Sequence, residues 1–327
     1  MELGASSLKE MLYWMVLSRR LEERITILFR EGRLSGHHHP GLGQEAVNVG
    51  VCYAMGPDDY VLLTHRGKAP ALMRGIGLKE LMAGYYGKKE GLGGGRVPTG
   101  SHMYGDLSRH ILPMPGIIGS GIPLAVGAAL GLKLKKSNSV VIDFFGDGAA
   151  NRGDFHEGLN LAASMKLPVI FVLVNNGYSI SFSVKKATGL RKLYIRAKGY
   201  GIPGINLDGN DVRAVFRETL KAIERARKGE GPTLIECMVH RWTGHSISDA
   251  DIYRDDTEKR EGEKKDPVVR FRNDLFSGGI ISAVEYEEIE KKVHNEIEEA
   301  IRYCEMECTD PDPSELIKGV YCKSNLK

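Results

Sequence analysis

The sequence predicts an α/β fold in which a mostly parallel sheet is covered by helices on both faces. Residues 139–145 and residues 168–174 are continuous apolar runs rich in Val, Ile and Phe, which is typical of parallel strands buried on both sides. A helical segment, residues 154–166, joins them, and a further helix and strand follow in residues 212–231 and 232–240. This alternation of strands and helices is typical of the α/β class.

The N-terminal region is expected to be helical. Apolar residues recur at helical spacing and predict one amphipathic helix over residues 7–31. Ser7 is expected to cap this helix, with Glu10 at the capping-box position. A second helix is expected to begin near Gly43. Residues 84–100 hold seven glycines in 17 positions, which predicts a loop, and a loop of this length in a compact chain is more often functional than a passive connector.

The segment "GIIGSGIPLAVGAALGLKL", which begins at Gly116, is the best candidate for a membrane span. Pro123, several glycines and Lys133 interrupt it, so it predicts a glycine turn followed by a tightly packed, buried helix. Residues 243–267 are polar and highly charged, which predicts an exposed, mobile loop. No repeat or long linker divides the chain. We therefore expect one α/β domain over residues 1–327.

That domain is expected to carry an N-terminal helical arm at about residues 6–32 and a C-terminal helical region at about residues 266–327.

The amino-acid composition limits the class of protein. Of 327 residues, 42% are hydrophobic, which suffices for a large core. The 45 basic and 42 acidic side chains leave a net charge of +3, which argues against nucleic acid or an anionic membrane as a partner. The five cysteines form no Cys-x-x-Cys pair and no signal or transit peptide is visible, so a reduced, cytoplasmic protein is expected.

The stretch "FFGDGAANRG" places Asp147 between two glycines where a predicted strand ends. The next strand ends at Asn175 and Asn176, and the carboxyl ends of two parallel strands joined by one helix meet at the same edge of a sheet. The helix that begins near Asp154 points its amide groups toward that edge, which favours an anion. Carboxylate and amide oxygens suit Mg²⁺. The sequence therefore predicts a Mg²⁺ ion that carries a diphosphate.

Two simpler interpretations explain less of this pattern. A Rossmann dinucleotide site fits poorly, because Asn151 takes the place of the third glycine and the second strand ends without an acidic residue for a ribose. A purely structural glycine turn leaves Asp147 and the paired asparagines unexplained.

The spacing of these motifs resembles that of a known family. Between Gly148 and Asn175 lie 26 residues, 149 to 174, and "GDG" followed at this distance by "NN" resembles the thiamine-diphosphate signature. Together with "GLGQEAVNVG", "GSHMYGDLS", "GIIGSGIPLAVGAAL" and "GHSISDADIYR", the chain resembles, from about residue 10 to about residue 312, the alpha subunit of the decarboxylating component of 2-oxo acid dehydrogenase complexes. That family includes the pyruvate, branched-chain and acetoin enzymes. The resemblance implies a thiamine-diphosphate-binding fold and oxidative decarboxylation of a 2-oxo acid such as pyruvate.

By this resemblance the phosphate end of thiamine diphosphate has a defined set of partners. Asp147, Asn176 and the backbone carbonyl of Tyr178 would hold Mg²⁺, and Gly148 and Ala149 would lie against the diphosphate.

The resemblance also implies partners for the rest of the cofactor. Arg66 matches the arginine that pairs with phosphate, and His65 beside it stands where the family commonly has tyrosine. Gly116 and Ile118 would contact the aminopyrimidine ring. Lys68 departs from the family pattern, as does "VNN" in place of the more usual "ENN".

Two histidines match catalytic positions of the family. His39 would face the active-site channel, whereas His37 and His38 are expected to be loop residues. His245 would lie close to the cofactor and the reacting carbon, and would help to transfer the acyl group to lipoyl-lysine. Ser246 matches a position that is phosphorylated in mitochondrial relatives, which makes it a possible regulatory site.

The resemblance implies partners as well. In this family a beta subunit supplies the glutamate that activates the cofactor, and this chain contains only the diphosphate half of a site. We therefore expect an active site between subunits, an alpha chain that is inactive alone, and an assembly of two alpha and two beta chains. The small-residue helix at residues 121–131 is a candidate for packing in that assembly, and a separate lipoyl acyltransferase component would accept the acyl group.

Three alternatives stay open. Within the family, the substrate is pyruvate, a branched-chain 2-oxo acid or acetoin, because the pocket that selects it is built from both subunits. A second possibility is another thiamine-diphosphate enzyme such as a split transketolase, against which "GQEA" and the "GHS" loop argue. The third is a non-catalytic scaffold subunit, against which the complete set of metal ligands argues.

Overall fold

A parallel sheet lies at the centre of the protein. The computed structural model describes residues 3–96 and 104–315. Its strands are, in chain order, β1 Tyr60–Leu62, β2 Val141–Gly146, β3 Val169–Asn175, β4 Tyr178–Ser179, β5 Phe182–Ser183, β6 Gly204–Asp208 and β7 Thr233–Met238. In this part of the chain five strands pair in the order β1-β2-β3-β7-β6, every pair being parallel, and β4 and β5 form a separate antiparallel ribbon.

Helices cover both faces of this sheet. They are, in chain order, α1 Ala5–Arg30, α2 Glu45–Ala54, α3 Lys68–Met73, α4 Leu78–Tyr85, α5 Gly121–Leu134, α6 Gly153–Ser164, α7 Val184–Ala187, α8 Val212–Arg227, α9 Asp256–Glu263, α10 Pro267–Ser277 and α11 Ala283–Met306. The predicted α/β class, the parallel sheet and the additional helices at both ends are therefore confirmed. None of the helices in residues 3–96 and 104–315 combines the length and the hydropathy that a membrane span requires.

Alternate side chains of the central strands enter two cores. Ile142 and Phe144 of β2 join the core that contains residues of α1, α2, α8 and α11. Val141 and Phe145 join the core on the opposite face, with residues of α5 and α6. This alternation follows from the two-residue period of a strand, and it explains why the strand sequences are apolar throughout.

Two N-terminal predictions need correction. Helix α1 begins at Ala5, and no side chain caps it at Gly4. Ser7 is therefore not the cap, and Glu10 accepts a hydrogen bond from the Tyr53 hydroxyl at 2.9 Å instead of closing a capping box. Both residues lie inside α1, so neither is placed to cap it.

The predicted buried helix after Gly116 is only half buried. Ile122 and Val126 of α5 pack into the core beside α6, whereas Leu124 and Gly127 on the other side of the helix are exposed. The end of the glycine-rich segment, residues 97–100, and the end of the C-terminal region, residues 316–327, lie outside the described residues.

Candidate active site

A cleft opens at the carboxyl edge of the sheet, where β1, β2, β3 and β7 end. Its volume is about 530 Å³. The lining includes every residue predicted to contact the cofactor or to act in catalysis: His39, His65, Arg66, Gly116, Ile118, Asp147, Gly148, Ala149, Asn176, Tyr178 and His245. Because these residues come from distant parts of the sequence, the fold brings the predicted site together in one place.

Asp147 lies directly after β2 and its side chain is buried. Its carboxylate accepts a hydrogen bond from the backbone N–H of Asn176, which follows β3. Burial raises the pKa of Asp147 to about 6, although this hydrogen bond and the charges of Arg241 and Arg66 oppose the shift. An anionic carboxylate here is therefore costly unless a cation neutralises it, which is a property of a metal ligand.

The two asparagines after β3 have different roles. Asn175 is buried, donates to Glu236 Oε1 at 2.7 Å and accepts from the Gly177 amide at 3.0 Å, so it anchors the loop. Asn176 lines the cleft, and its side-chain oxygen accepts from the Tyr178 amide at 3.2 Å. The oxygen-rich turn at residues 176–178 therefore faces Asp147.

Gly148 allows a neighbouring loop to pack on its backbone. A Cβ atom at this position would collide with Oγ of Ser179, which also lines the cleft. Any residue other than glycine would therefore force the Ser179 side chain to move. Ser179 was missed by the sequence reasoning, and only its position three residues after Asn176 hints at it.

Two buried arginines provide positive charge. Arg66 donates to the backbone oxygens of Pro40 at 2.5 Å and His245 at 2.8 Å. Arg241, which follows β7, donates to the Ile180 carbonyl at 3.0 Å and the Tyr253 hydroxyl at 2.5 Å. Burial lowers the pKa of Arg66 to about 9, which still leaves it charged at neutral pH. Three arginines (Arg66, Arg152 and Arg241) and two aspartates (Asp143 and Asp147) line the cleft, and burial raises the pKa of Asp143 to about 8, so positive charge predominates and the cleft is suited to an anionic ligand.

Arg241 was also missed by the sequence reasoning. The available signal was its place just beyond the strand "PTLIECMVH", at the same edge as Asp147. A parallel sheet collects ligand-binding residues from the carboxyl end of each adjacent strand, and β7 is a neighbour of β3.

Three histidine rings cluster at the cleft. The ring centroid of His39 lies 4.6 Å from that of His65 and 4.6 Å from that of His245. Burial, followed by the charges of Arg66 and Arg241, lowers the pKa of His245 to about 4. His245 is therefore neutral at physiological pH, and one ring nitrogen can accept a proton while the other donates.

The histidines before the cleft differ from one another in exposure. His37 is exposed, as a loop residue often is, whereas His38 is fully buried and its Nε2 lies 3.3 Å from Glu22 Oε2. Lys68, which departs from the family pattern, is also buried and contacts the same Glu22 carboxylate. Val174, the other departure, is a buried residue of β3 at the cleft wall.

The lip of the cleft is apolar and open. The exposed fraction is 67% for Ile117 and 50% for Ile118. Gly119 next to them has φ of +91°, and a Cβ there would meet Arg152 at 2.9 Å. Exposed isoleucines at a cleft edge favour contact with a ring or with another chain.

The polar segment after β7 is more buried, and forms more hydrogen bonds and ion pairs, than its composition predicts. Asp251 and Arg254 are buried and form an ion pair, and Arg254 also donates to the Thr243 carbonyl at 2.7 Å. Residues 256–263 form α9. The prediction of exposure is therefore wrong for Asp251 and Arg254, whose charged side chains satisfy each other and nearby carbonyls, and the prediction of a loop is wrong for residues 256–263, which are helical although mostly exposed.

Ser246 does not line the cleft. Its partly buried side chain follows His245, and its hydroxyl lies 3.2 Å from that of Ser248. The Asp249 carboxylate accepts from the His245 amide at 2.6 Å, so a negative charge already lies beside this serine.

Within residues 3–96 and 104–315, no group of three His, Cys, Asp or Glu side chains lies close enough to hold a metal. The predicted Mg²⁺ ligands do not form such a group, because they are one carboxylate, one amide oxygen and one backbone carbonyl. Such oxygen ligands leave room for phosphate oxygens and water in an octahedral shell.

Comparisons with known proteins show the family of this chain. The chain matches the model of the dehydrogenase E1 component family over residues 13–312. It is 41% identical over 323 residues to the alpha subunit of acetoin:2,6-dichlorophenolindophenol oxidoreductase of Bacillus subtilis (strain 168), with 97% of this chain and 96% of the relative covered. The subunit of the same name from Cupriavidus necator is 38% identical, with 93% and 90% covered. The chloroplastic pyruvate dehydrogenase E1 component subunit alpha-3 of Arabidopsis thaliana is 35% identical, with 94% and 72% covered. This chain belongs to the dehydrogenase E1 component family.

Proposed function

We propose that this chain is the alpha subunit of a thiamine-diphosphate-dependent 2-oxo acid dehydrogenase. One observation carries the proposal: Asp147 and the turn at residues 176–178 converge at a strand edge beside the two buried guanidinium groups of Arg66 and Arg241. This is the charge pattern that a metal-bound diphosphate requires.

The residues present fit thiamine diphosphate with Mg²⁺. Asp147, Asn176 and the carbonyl of Tyr178 would hold the metal, and the backbone at Gly148 and Ala149 would lie against the phosphates. The raised pKa of Asp147 supports this assignment, because a buried carboxyl without a cation is poorly solvated. When bound, thiamine diphosphate would supply the carbon nucleophile that attacks the 2-oxo carbon, and it would accept the electron pair of the bond that breaks when carbon dioxide leaves.

The chain's own residues bind, orient and transfer protons. The two arginines neutralise the phosphates. His39 and His245 lie with their ring centroids 4.6 Å apart, and His245 is neutral because burial and nearby cations oppose its protonation. A neutral imidazole at the cleft can move a proton to or from the acyl acceptor, which we propose to be lipoyl-lysine of a separate acyltransferase component.

A beta subunit completes the site. The exposed face of α5 supports its docking, because Leu124 is half exposed and a Cβ atom at Gly127 or Gly131 would meet nothing within 4 Å. A face of small and apolar residues permits close approach of another helix. We propose an assembly of two alpha and two beta chains, with the cofactor between them.

Two substrate classes have support. A 2-oxo acid such as pyruvate is the leading candidate, given the pyruvate dehydrogenase relatives. Acetoin is the second, because two relatives at 41% and 38% identity carry acetoin in their names and His65-Arg66-Gly67 is familiar from acetoin-type members. A branched-chain 2-oxo acid is the remaining alternative.

The experiment that tests the function uses the chain with and without the product of the adjacent candidate beta gene. We expect turnover of pyruvate or acetoin, with dichlorophenolindophenol as the electron acceptor, only when both chains, thiamine diphosphate and Mg²⁺ are present. Turnover by this chain alone, or none by the assembled pair with any of the three substrate classes, would contradict the proposal.

Two minor assignments also remain proposals. The cysteines Cys52, Cys237, Cys304 and Cys308 are free, which supports a reducing compartment such as the cytoplasm. Phosphate on Ser246 would face the carboxylate of Asp249 and could displace the loop that carries His245.

A further inference from the structure

A buried ion pair lies beneath the histidine cluster. Lys68 Nζ is 2.9 Å from Glu22 Oε1, and both side chains are almost fully buried. His38 Nε2 lies 3.3 Å from the other carboxylate oxygen of Glu22, and the His38 ring stacks on Phe29 with centroids 5.5 Å apart. The three polar side chains come from α1, the loop before α2 and the start of α3, so the cluster joins distant parts of the chain.

The charge state of this cluster is set by its members. Burial opposes ionisation of Glu22, but the charge of Lys68, followed by the contact with His38, holds the pKa of Glu22 down to about 2. Burial, followed by the charge of Lys68, lowers the pKa of His38 to about 4, so His38 is neutral at physiological pH. Burial lowers the pKa of Lys68, and the charge of Glu22 opposes this shift. With 2.9 Å between Nζ and Oε1, the geometry is that of an ammonium paired with a carboxylate, with an uncharged imidazole beside them.

Each carbonyl of residues 38–40 accepts a hydrogen bond. Lys68 Nζ donates to the His39 oxygen at 3.4 Å, and the Ile247 amide donates to the His38 oxygen at 2.9 Å. Arg66 donates to the Pro40 oxygen, as described above. The donors thus come from α3, from the loop after β7 and from the end of β1, and the segment cannot shift without breaking at least one bond.

Close packing restricts the segment further. A Cβ atom at Gly41 would lie 2.8 Å from Glu22 Oε1 and 2.9 Å from the Arg66 carbonyl. Lys68, Glu22 and His38 do not line the cleft, whereas His39 does. The cluster therefore reaches the site through the backbone that carries His39.

We infer that Lys68 is a positioning residue: paired with Glu22 and bonded to the His39 carbonyl, it holds residues 38–40 so that the His39 ring faces His245. Stability alone does not explain such a pair, since a buried ion pair is often no more stabilising than well-packed apolar residues. Its effect on the reaction rests on the function proposed above, whereas its effect on the backbone does not.

The test compares four complexes of this chain with its beta partner: Lys68→Met, Lys68→Arg, the double variant Glu22→Gln/Lys68→Met, and the control Lys79→Met. Lys79 makes an exposed ion pair with Glu299 at 2.7 Å, so its loss should change nothing measurable. For Lys68→Met we expect kcat to fall roughly 10- to 100-fold, as when a supporting residue of a site is removed. Affinity for thiamine diphosphate should stay within about twofold, because the phosphate ligands are untouched.

The double variant separates positioning from stability. It buries no unpaired charge, so its melting temperature should return toward wild type, while kcat stays low because the His39 carbonyl still lacks its donor. Lys68→Arg keeps a cation and should recover part of kcat. If kcat and melting temperature recover together in the double variant, the cluster serves packing only and the inference is overturned.

A second measurement does not depend on turnover. The Ile247 amide donates a hydrogen bond to the His38 carbonyl. Its hydrogen exchange should be at least about tenfold faster in Lys68→Met and in Glu22→Gln/Lys68→Met than in the Lys79→Met control. Unchanged exchange would overturn the inference even if activity were lost. A wild-type complex that turns over no substrate would contradict the proposed function instead, and the exchange result would still decide the role of Lys68.

Discussion

Arg66 Nη2 donates to the backbone oxygen of His245 at 2.8 Å and lies 3.4 Å from Nδ1 of the same residue. This contact joins the end of β1 to the loop after β7. The arginine expected to bind phosphate therefore also orients the imidazole expected to move protons. An anion that draws Arg66 toward the cleft centre would act directly on the loop of His245.

Asp147→Asn should weaken Mg²⁺-dependent binding of thiamine diphosphate to the assembled complex by roughly 100-fold, because the only carboxylate in the predicted metal shell is removed. Isothermal calorimetry at fixed Mg²⁺ measures this. The matched control is Asp58→Asn, an exposed acid before β1 at the opposite edge of the sheet. Equal affinity in both variants would contradict the metal assignment.

Arg241→Gln should lower the affinity for thiamine diphosphate about 10- to 100-fold, the loss expected for one charge-assisted hydrogen bond to phosphate. Its binding should also depend less on salt concentration than that of wild type. Arg217→Gln is the control, since the Arg217 side chain is 60% exposed and lies outside the cleft. A normal affinity in the Arg241 variant would show that this guanidinium serves only the loop after β7.

His245→Gln should reduce kcat by about 100-fold or more, the usual contribution of a general acid or base, with little change in cofactor affinity. Because the pKa of His245 is held near 4, first by burial and then by Arg66 and Arg241, wild-type kcat should be flat near neutrality and should fall only as pH approaches about 4. The control is His294→Gln on an exposed face of α11. A rate profile with a midpoint near 6.5 would argue against a buried, neutral imidazole.

Asp143 predicts a dependence of stability on pH. This residue of β2 is fully buried, neither carboxyl oxygen has a hydrogen-bond partner among residues 3–96 and 104–315, and burial raises its pKa to about 8. Between its ordinary value of 3.8 and about 8, the folded chain keeps a proton that the unfolded chain has lost. The free energy of unfolding should therefore decrease as pH rises from about 4 to about 8.

Asp143→Asn should flatten this decrease, because the amide does not titrate, and urea unfolding at several pH values measures it. Asp143→Val should raise the free energy of unfolding near neutral pH by about 1–3 kcal/mol, the cost of an unpaired buried polar group. Asp310→Asn, at an exposed position, is the control. Identical pH dependence in wild type and Asp143→Asn would place the carboxyl with a partner such as an internal water.

Gly127→Leu tests the docking of the beta subunit on α5. A Cβ at this exposed glycine meets nothing within 4 Å, so the melting temperature of the isolated chain should not change. Close packing against another helix would be blocked, and sedimentation should show loss of the complex. Gly199→Leu, at another exposed glycine with open space, should assemble normally. Normal assembly of the Gly127 variant would exclude α5 from the interface.

Local periodicity in the sequence was enough to predict β2, β3 and β7 and the helices α6 and α8, whereas the sheet strands β1 and β6 were not predicted. The "GDG" and "NN" motifs placed Asp147 and Asn176 at one edge, because parallel strands joined by one helix leave no other choice. The matching family motifs predicted further residues of the cleft, but neither Ser179 nor Arg241. These predictions depend on the spacing of residues within short segments, and such spacing can be read directly from the sequence.

Tertiary structure decided the rest. It assigned Asn175 to Glu236 and left Asn176 to the cleft, brought Arg241 beside Arg66, and buried Lys68 against Glu22. The polar segment after β7, composed like a solvated loop, is held by ion pairs within the fold. These outcomes depend on contacts between residues far apart in the chain, and neither composition nor periodicity records which distant groups will meet.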